Sequence, residues 1–466
     1  MDAAMLARAQ FALTIAFHFV FPSITIGLAW LLATTEVVRA RTGSEVWERK
    51  AALWTRIFAV TFVVGVATGI VMEFQFGTNW SRYSTFVGDI FGAPLAAEGV
   101  LAFFLESTFL GILLFGRDRV SSRVRVASAC IVAFGATFSG FWIVVANSWM
   151  QTPAGYEIQG DKAVLTDFLA AVFNPSTMPR YLHTIAASVA AAAFLMTGIS
   201  AWYVRRGRSL DVAARGLRMG LVVAFVASGL MFLTGDFSAK QVAETQPEKF
   251  AAMQGVTETT KGAPMIIFSL PPSGSGGDPL DGPAILVNKL LSYMAYGNWD
   301  ATVVGTNAFP ADQVPPIAPT FLSYHNMVAI GTLMLVLMAS GAWLAWRRRI
   351  ERSRTWLLFA TLAIPLPLIA IQLGWATAEI GRQPWIVYGL MRTVDGISPV
   401  VSSTDILISL GLLVVVYALL GVLWLWALIR VVRRGPDPAP AGVEVHGLEG
   451  GTGALGGEAH PVGLGA

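Results

Sequence analysis

Long apolar runs alternate with short polar or basic connections along nearly the whole chain. The runs fall near 11–35, 53–76, 95–115, 124–146, 182–204, 217–235, 322–346, 356–378 and 405–430. Each has about 20 or more mostly apolar residues, enough to cross ~30 Å of hydrocarbon as a helix. The pattern predicts an all-α polytopic membrane protein with nine transmembrane helices, so the termini lie on opposite sides. The first run is too long for a signal-peptide core and lacks its basic n-region, so it reads as a retained span. Two stretches depart from the pattern. Residues 237–320 form a long loop, polar at first and then Gly/Pro-rich (PPSGSGGDPLDGP, 271–283). Residues 435–466 are Pro/Gly-rich and weakly charged, the composition of a disordered tail. The expected organisation is six helices in 1–236, the loop in 237–320, three helices in 321–434 and the tail in 435–466. No internal repeat is visible.

Charge gives the bundle a direction. Alternate connections read RARTGSEVWERK (39–50), GRDRVSSRVR (116–125), RRGRSLDVAARGLR (205–218), WRRRIERSR (346–354) and RVVRRG (430–435). With Arg56 they hold 22 of the 32 lysines and arginines. The positive-inside rule then puts the N-terminus outside and the C-terminus in the cytoplasm. Composition agrees: 55% of the 466 residues are hydrophobic and 13% charged, against about 25% charged in soluble chains. The net charge of +3 reflects topology and suggests no nucleic-acid partner. One cysteine, Cys130, excludes an internal disulfide or a cysteine-based metal site and reads as a small buried hydrophobe.

Ionisable groups inside spans are costly and usually functional. Here they are His18, Glu73, Glu98, Glu106, His183, His325 and Glu379, with Met327 two residues after His325. A lone intramembrane histidine is often just an interhelical hydrogen bonder, and a methionine is usually packing. Glu73 and Glu379 lie near outer helix ends and could reach water. Glu106 lies eight residues beyond Glu98, ~12 Å deeper, with no obvious partner in FFLESTFL. A carboxyl so placed suits a proton relay. His183 and Met327 sit at similar height on different helices beside the long loop, and a His–Met pair can hold six-coordinate haem. Two of the five histidines, His446 and His460, fall in the tail. The remaining three are too few for two bis-His haems, or for a copper site plus two haems. An ion-coupled secondary transporter with buried carboxylates is the alternative. It predicts broken helices and paired repeats and leaves His183 and Met327 unexplained. A subunit that only relays electrons leaves His18 and Glu379 unexplained.

Several longer stretches carry a resemblance: QFALT…FHFVFP (10–22), GVATGIVMEFQFGTNWSRYSTFVGDIFGAPLAAEG (65–99), FFLESTF (103–109), ANSWMQTP (146–153), the His183 segment and GWATAEIGRQPW (374–385). Over nearly its whole length the chain resembles subunit I of cytochrome bd-type quinol oxidases. The resemblance implies an enzyme of the bacterial cytoplasmic membrane that reduces O2 to water with electrons from quinol. It implies two haem b and one haem d, or a third haem b in place of haem d. Low-spin haem b would take His183 and Met327, and the two O2-reducing haems His18 and Glu379, in either order. Glu98 and Glu106 would serve the site and its proton route, with Ser107 as helper. Arg382 would offset Glu379 or bind a propionate, and Trp375 and Trp385 would pack on haem edges. The loop from GDFSAKQVAETQPEKFAAMQG resembles the family's quinol loop, with Lys249 at a position linked to quinol oxidation. Gln254 stands where the family usually has a glutamate, which leaves Glu248 or Glu258 to substitute. The loop is of the short, often cyanide-insensitive kind. His325 is expected to bind a propionate or backbone. Expected partners are a second membrane subunit, a small accessory subunit, quinol, O2 and the lipid bilayer.

Overall fold

The computed structural model describes residues 2–99, 103–269 and 283–437. Helices α1 (Ala3–Thr42) and α2 (Glu45–Thr78) form a hairpin whose turn uses Gly43 at φ 61°, a left-handed conformation that glycine adopts without penalty. Next come α3 (Ser81–Ala97), α4 (Phe103–Phe115) and α5 (Ser122–Gln151). A small hairpin, β1 (Tyr156–Gln159) with β2 (Lys162–Leu165), and the short α6 (Phe168–Val172) lead to α7 (Thr177–Arg205) and α8 (Leu210–Thr245). The region read as loop contains α9 (Pro247–Gln254), β3 (Thr260–Lys261), β4 (Met265–Ser269), β5 (Ala284–Val287), α10 (Leu290–Tyr296) and β6 (Thr302–Val303). β3 pairs with β6 and β4 with β5, both antiparallel. The chain then re-enters the bundle as α11 (Ile317–Trp346), α12 (Arg354–Leu362) and α13 (Leu366–Ile380). The hairpin of β7 (Trp385–Val387) and β8 (Met391–Arg392) precedes α14 (Ser403–Arg434), which opens on a Ser402/Asp405 capping box.

Among the described residues, eight helices are long and apolar enough to cross a membrane, counting α12 and α13 as one. Of the predicted span at 95–115 the described residues show the end of α3 and the shorter apolar helix α4, and residues 100–102 lie outside them. α8 also runs past residue 235, where its apolar stretch ends, to Thr245. The predicted tail beyond Asp437, with His446 and His460, and the PPSGSGGDPLDG stretch lie outside the described residues.

α7 is the central pillar, with 83% of its most apolar window buried. Its face of Ala186, Ala187 and Ala190–Ala193 lets neighbours approach closely. At Gly27 a Cβ would lie 2.4 Å from the Ser188 carbonyl oxygen and 2.8 Å from Ala192 Cβ. Lipid is as apolar as leucine, so spans associate by such tight packing and by polar contacts rather than by hydrophobic drive. The same fact corrects the reading of Cys130. It is exposed on α5, because a lipid-facing position is as apolar as a core one.

The basic connections gather at one end of the bundle through an ion-pair network. Glu36, 1% exposed, pairs with Arg39 at 2.7 Å and Arg125 at 2.6 Å. Glu48 pairs with Arg125 at 2.9 Å and Arg117 at 2.8 Å. Arg49 reaches Asp211 at 2.5 Å, and Arg56 and Arg117 hold Asp437 at 3.1 and 3.2 Å. These guanidiniums outweigh partial burial and hold the Asp437 carboxyl below its usual range.

Removing one partner from a buried network strands the others. Glu36→Gln is expected to destabilise the protein by about 3–5 kcal/mol. Asp300→Asn, which breaks the exposed Lys289–Asp300 pair, should leave thermal unfolding in detergent unchanged. Equal melting curves for both variants would show that the network contributes nothing.

Candidate functional site

The helices enclose a cavity of about 1370 Å³, larger than the ~300–1,000 Å³ of a usual single-ligand site. Its walls include His18, Glu73, Glu98, Glu106, His183, Lys249, Met327, Trp375, Glu379 and Arg382. Side chains from α1 to α13 thus open on one space. Ser107 is exposed on α4 and is not part of the wall.

The two cavity histidines are held alike. His18 Nδ1 lies 3.0 Å from Thr68 Oγ1. Thr68 donates its own hydroxyl proton to the Val64 carbonyl at 2.9 Å or that of Gly65 at 3.0 Å. The hydroxyl oxygen is therefore the acceptor, Nδ1 carries the ring proton, and Nε2 keeps its lone pair. His183 repeats the device: Nδ1 is 3.0 Å from Thr234 Oγ1, which donates to the Leu230 carbonyl at 2.9 Å. Fixing the tautomer through the far nitrogen is how ligating imidazoles are prepared. A glycine follows each threonine and leaves room for the ring. A Cβ on Gly69 would be 3.2 Å from His18 Cε1, and one on Gly235 would be 3.4 Å from His183 Cε1. Met327 has a similar allowance, since a Cβ on Gly374 would sit 2.8 Å from its sulfur.

At the α13 end of the cavity, charge is unbalanced. Glu379 Oε1 accepts from Asn147 Nδ2 at 3.0 Å and Oε2 from Arg382 Nη2. Asn147 Oδ1 in turn accepts from Arg180. Lys249, 3% exposed, donates to Gln151 Oε1 and to the Ala378 carbonyl, both at 3.0 Å. Burial, reinforced by Arg180 and Arg382, holds its ammonium well below the ordinary lysine range. Arg382 is 4% exposed and its Nη1 has no partner. Two guanidiniums and a lysine therefore crowd one carboxylate.

A second polar line follows the other wall. Glu98 Oε1 accepts from Ser139 at 2.9 Å, while Oε2 is buried without a partner. Glu98 interacts electrostatically with Glu73 on one side and Glu106 on the other, a series of three carboxyls.

Other expected residues lie off the cavity. His325 is clamped by backbone, with Nδ1 3.0 Å from the Phe321 carbonyl and Nε2 3.1 Å from that of Ile266; it ties β4 to α11. Gln254 is buried and donates to Tyr324 Oη at 3.3 Å. Trp385 carries Arg392 over its ring at 5.4 Å. Glu258 is exposed, whereas Glu248 is 7% exposed and hydrogen-bonded to Tyr388. Thr68, Thr234, Asn147 and Arg180 escaped the sequence reading. The Thr-Gly pairs in ATGIV (67–71) and LTGDF (233–237) are the signal that could have found the first two.

Among the described residues no three His, Cys, Asp or Glu side chains cluster to hold a bare metal ion. The donors stand singly around one large buried space, the build of a polytopic membrane redox protein. Residues 6–436 match the family described as cytochrome bd terminal oxidase subunit I. The cytochrome bd ubiquinol oxidase subunit 1 of Bacillus subtilis (strain 168) is 36% identical over 446 residues, covering 94% of this chain and 95% of that protein. The cytochrome bd-II ubiquinol oxidase subunit 1 of Escherichia coli (strain K12) is 33% identical, covering 94% and 97%. The solved structure of bd oxidase from Geobacillus thermodenitrificans superimposes with a TM-score of 0.86 at 32% identity, covering 93% of this chain and 99% of that one. The chain belongs to the cytochrome bd terminal oxidase subunit I family.

The tight fit at Gly374 is open to test. Gly374→Ala should displace the Met327 thioether and loosen the packing of α11 on α13, lowering the melting midpoint in detergent with the helical fold intact by circular dichroism. An unchanged midpoint would show that the sulfur's position does not matter.

Proposed function

We propose that this chain binds three haems in its cavity, two haem b and one haem d or a third haem b, and uses them to oxidise quinol and reduce O2 to water. Membership of the family makes it a subunit of a quinol oxidase, a multi-pass protein of the bacterial cytoplasmic membrane that works with a second subunit. The observation that carries the haem reading is the pair of threonine-fixed imidazoles, His18 and His183, opening with Met327 and Glu379 on one cavity.

The donor chemistry fits haem. Each imidazole offers an Nε2 lone pair, Met327 a thioether and Glu379 a hard oxygen. The glycines leave the space that flat macrocycles need. The surplus of Arg180 and Arg382 over Glu379, with a free Arg382 Nη1, suits anionic propionates. In this reading His183 and Met327 hold low-spin haem b, and His18 and Glu379 hold the other two, in either order. When bound, the haems supply electron transfer and O2 reduction. The chain's residues supply positions and protons.

Lys249 is the residue at which quinol chemistry begins. An ammonium pushed down by burial has a neutral form within reach, able to accept a hydroxyl proton from a quinol docked at the 237–320 segment. Glu248, buried against Tyr388, then takes the outward proton in place of Gln254. Protons for water enter from the opposite, basic-connection side through Glu106 and pass to Glu98, whose free Oε2 faces no competing donor. With 95–115 counted as a ninth crossing beside the eight long apolar helices and the N-terminus outside, electrons and protons reach the site from opposite faces. Proton motive force follows from that sidedness without a pump.

Glu106→Leu is the direct test. Turnover with quinol should fall about 100-fold or more, the scale of a lost proton-transfer group, while the low-spin haem spectrum stays. Undiminished O2 consumption would remove Glu106 from the route.

A further inference from the structure

The basic end of the bundle holds a group of charges that the ion-pair network leaves out. Arg205, Arg206 and Arg208 lie at the end of α7 and in the turn after it. Arg430, Arg433 and Arg434 lie in the last turns of α14. The two helix ends are tied together: Tyr203 Oη donates to the Val432 carbonyl at 2.6 Å, and Arg208 Nη2 to that of Arg433 at 3.0 Å. Among the described residues none of these six arginines has an ion-pair partner. The nearest carboxylates in sequence, Asp211 and Asp437, are taken by Arg49, Arg56 and Arg117.

Tryptophans stand one helical turn before two of these arginines. The Arg206 guanidinium lies 5.8 Å from the Trp202 ring centre, and that of Arg430 lies 5.1 Å from the Trp426 ring centre. Trp426 is 57% exposed. The pattern recurs at the end of α11, where Arg347 lies 5.5 Å from Trp343 and 5.3 Å from Trp346. A tryptophan flanking an arginine at a helix end matches the layering of a bilayer, with the ring at the headgroup boundary and the cation one turn further into the phosphate layer.

We propose that the joined ends of α7 and α14 form a binding site for the phosphate headgroup of an anionic phospholipid. Arg206, Arg208, Arg430 and Arg433 supply the charge, and Trp202 and Trp426 the bed for the glycerol and upper acyl chains. A bidentate guanidinium matches two phosphate oxygens. An acidic protein segment would satisfy the charge, but it has no use for an exposed indole beside the apolar side chains of Leu423 and Val422, 49% and 65% exposed. Lipid is therefore the occupant that explains both halves of the pattern.

The test uses the full-length purified oxidase complex and labelled phosphatidylglycerol, with labelled phosphatidylcholine as the neutral probe. The native protein should retain phosphatidylglycerol preferentially. Arg206→Gln/Arg430→Gln should lose that preference by about fivefold for each guanidinium removed. Arg218→Gln, at an exposed arginine already paired with Glu351, should keep it. The proposal is overturned if the arginine variant binds phosphatidylglycerol as the native protein does. It is also overturned if inorganic phosphate displaces the lipid as well as soluble phosphatidylglycerol does, which marks a free-anion site. A third overturning result is a variant that loses the second subunit while keeping its lipid. Unaltered optical spectra and melting show that the variants have folded.

Discussion

Everything in this molecule depends on one constraint: a polar side chain inside hydrocarbon needs a partner within the protein. Water is absent there, so an unsatisfied donor or acceptor keeps its full desolvation cost. The His18–Thr68 and His183–Thr234 contacts answer that constraint and also shape chemistry. Each threonine returns its proton to its own helix and accepts from Nδ1. The bond that makes the imidazole tolerable is the bond that leaves Nε2 facing outward with a lone pair.

The same reasoning applies at the basic end of the bundle and in the cavity. At the basic end, Glu36, Glu48, Asp211 and Asp437 are each matched by arginines, and the network joins helix ends into one unit. Both places keep buried charged atoms without partners: Arg39 Nη2 and Arg125 Nε in the network, Glu98 Oε2 and Arg382 Nη1 on the cavity wall. Native proteins rarely leave such groups alone, and on the wall two guanidiniums and a lysine stand around Glu379 beside a space of about 1370 Å³.

Much of this was legible beforehand. His18, His183, Met327, Glu379, Glu98 and Glu106 stood out because each is an expensive choice in an apolar run, and the structure brings all six to one cavity. Cys130 was misplaced because burial and lipid exposure select the same residue types. Ser107, a helper that the resemblance implied, is exposed on α4 and stands off the cavity wall.

By itself the sequence determined the membrane class, the alternation of basic connections and the family, since these depend on composition and on runs of residues in order. Only the tertiary structure decided that Thr68 and Thr234 set the imidazole tautomers, that His325 is held by the Phe321 and Ile266 carbonyls, and that the ends of α7 and α14 meet. Apart from the local His325–Phe321 contact, those facts join residues from about 50 to more than 200 positions apart. Hydropathy along a chain carries no record of which helices will touch; packing of small residues such as Gly27 against α7 decides that, at distances of a few ångströms.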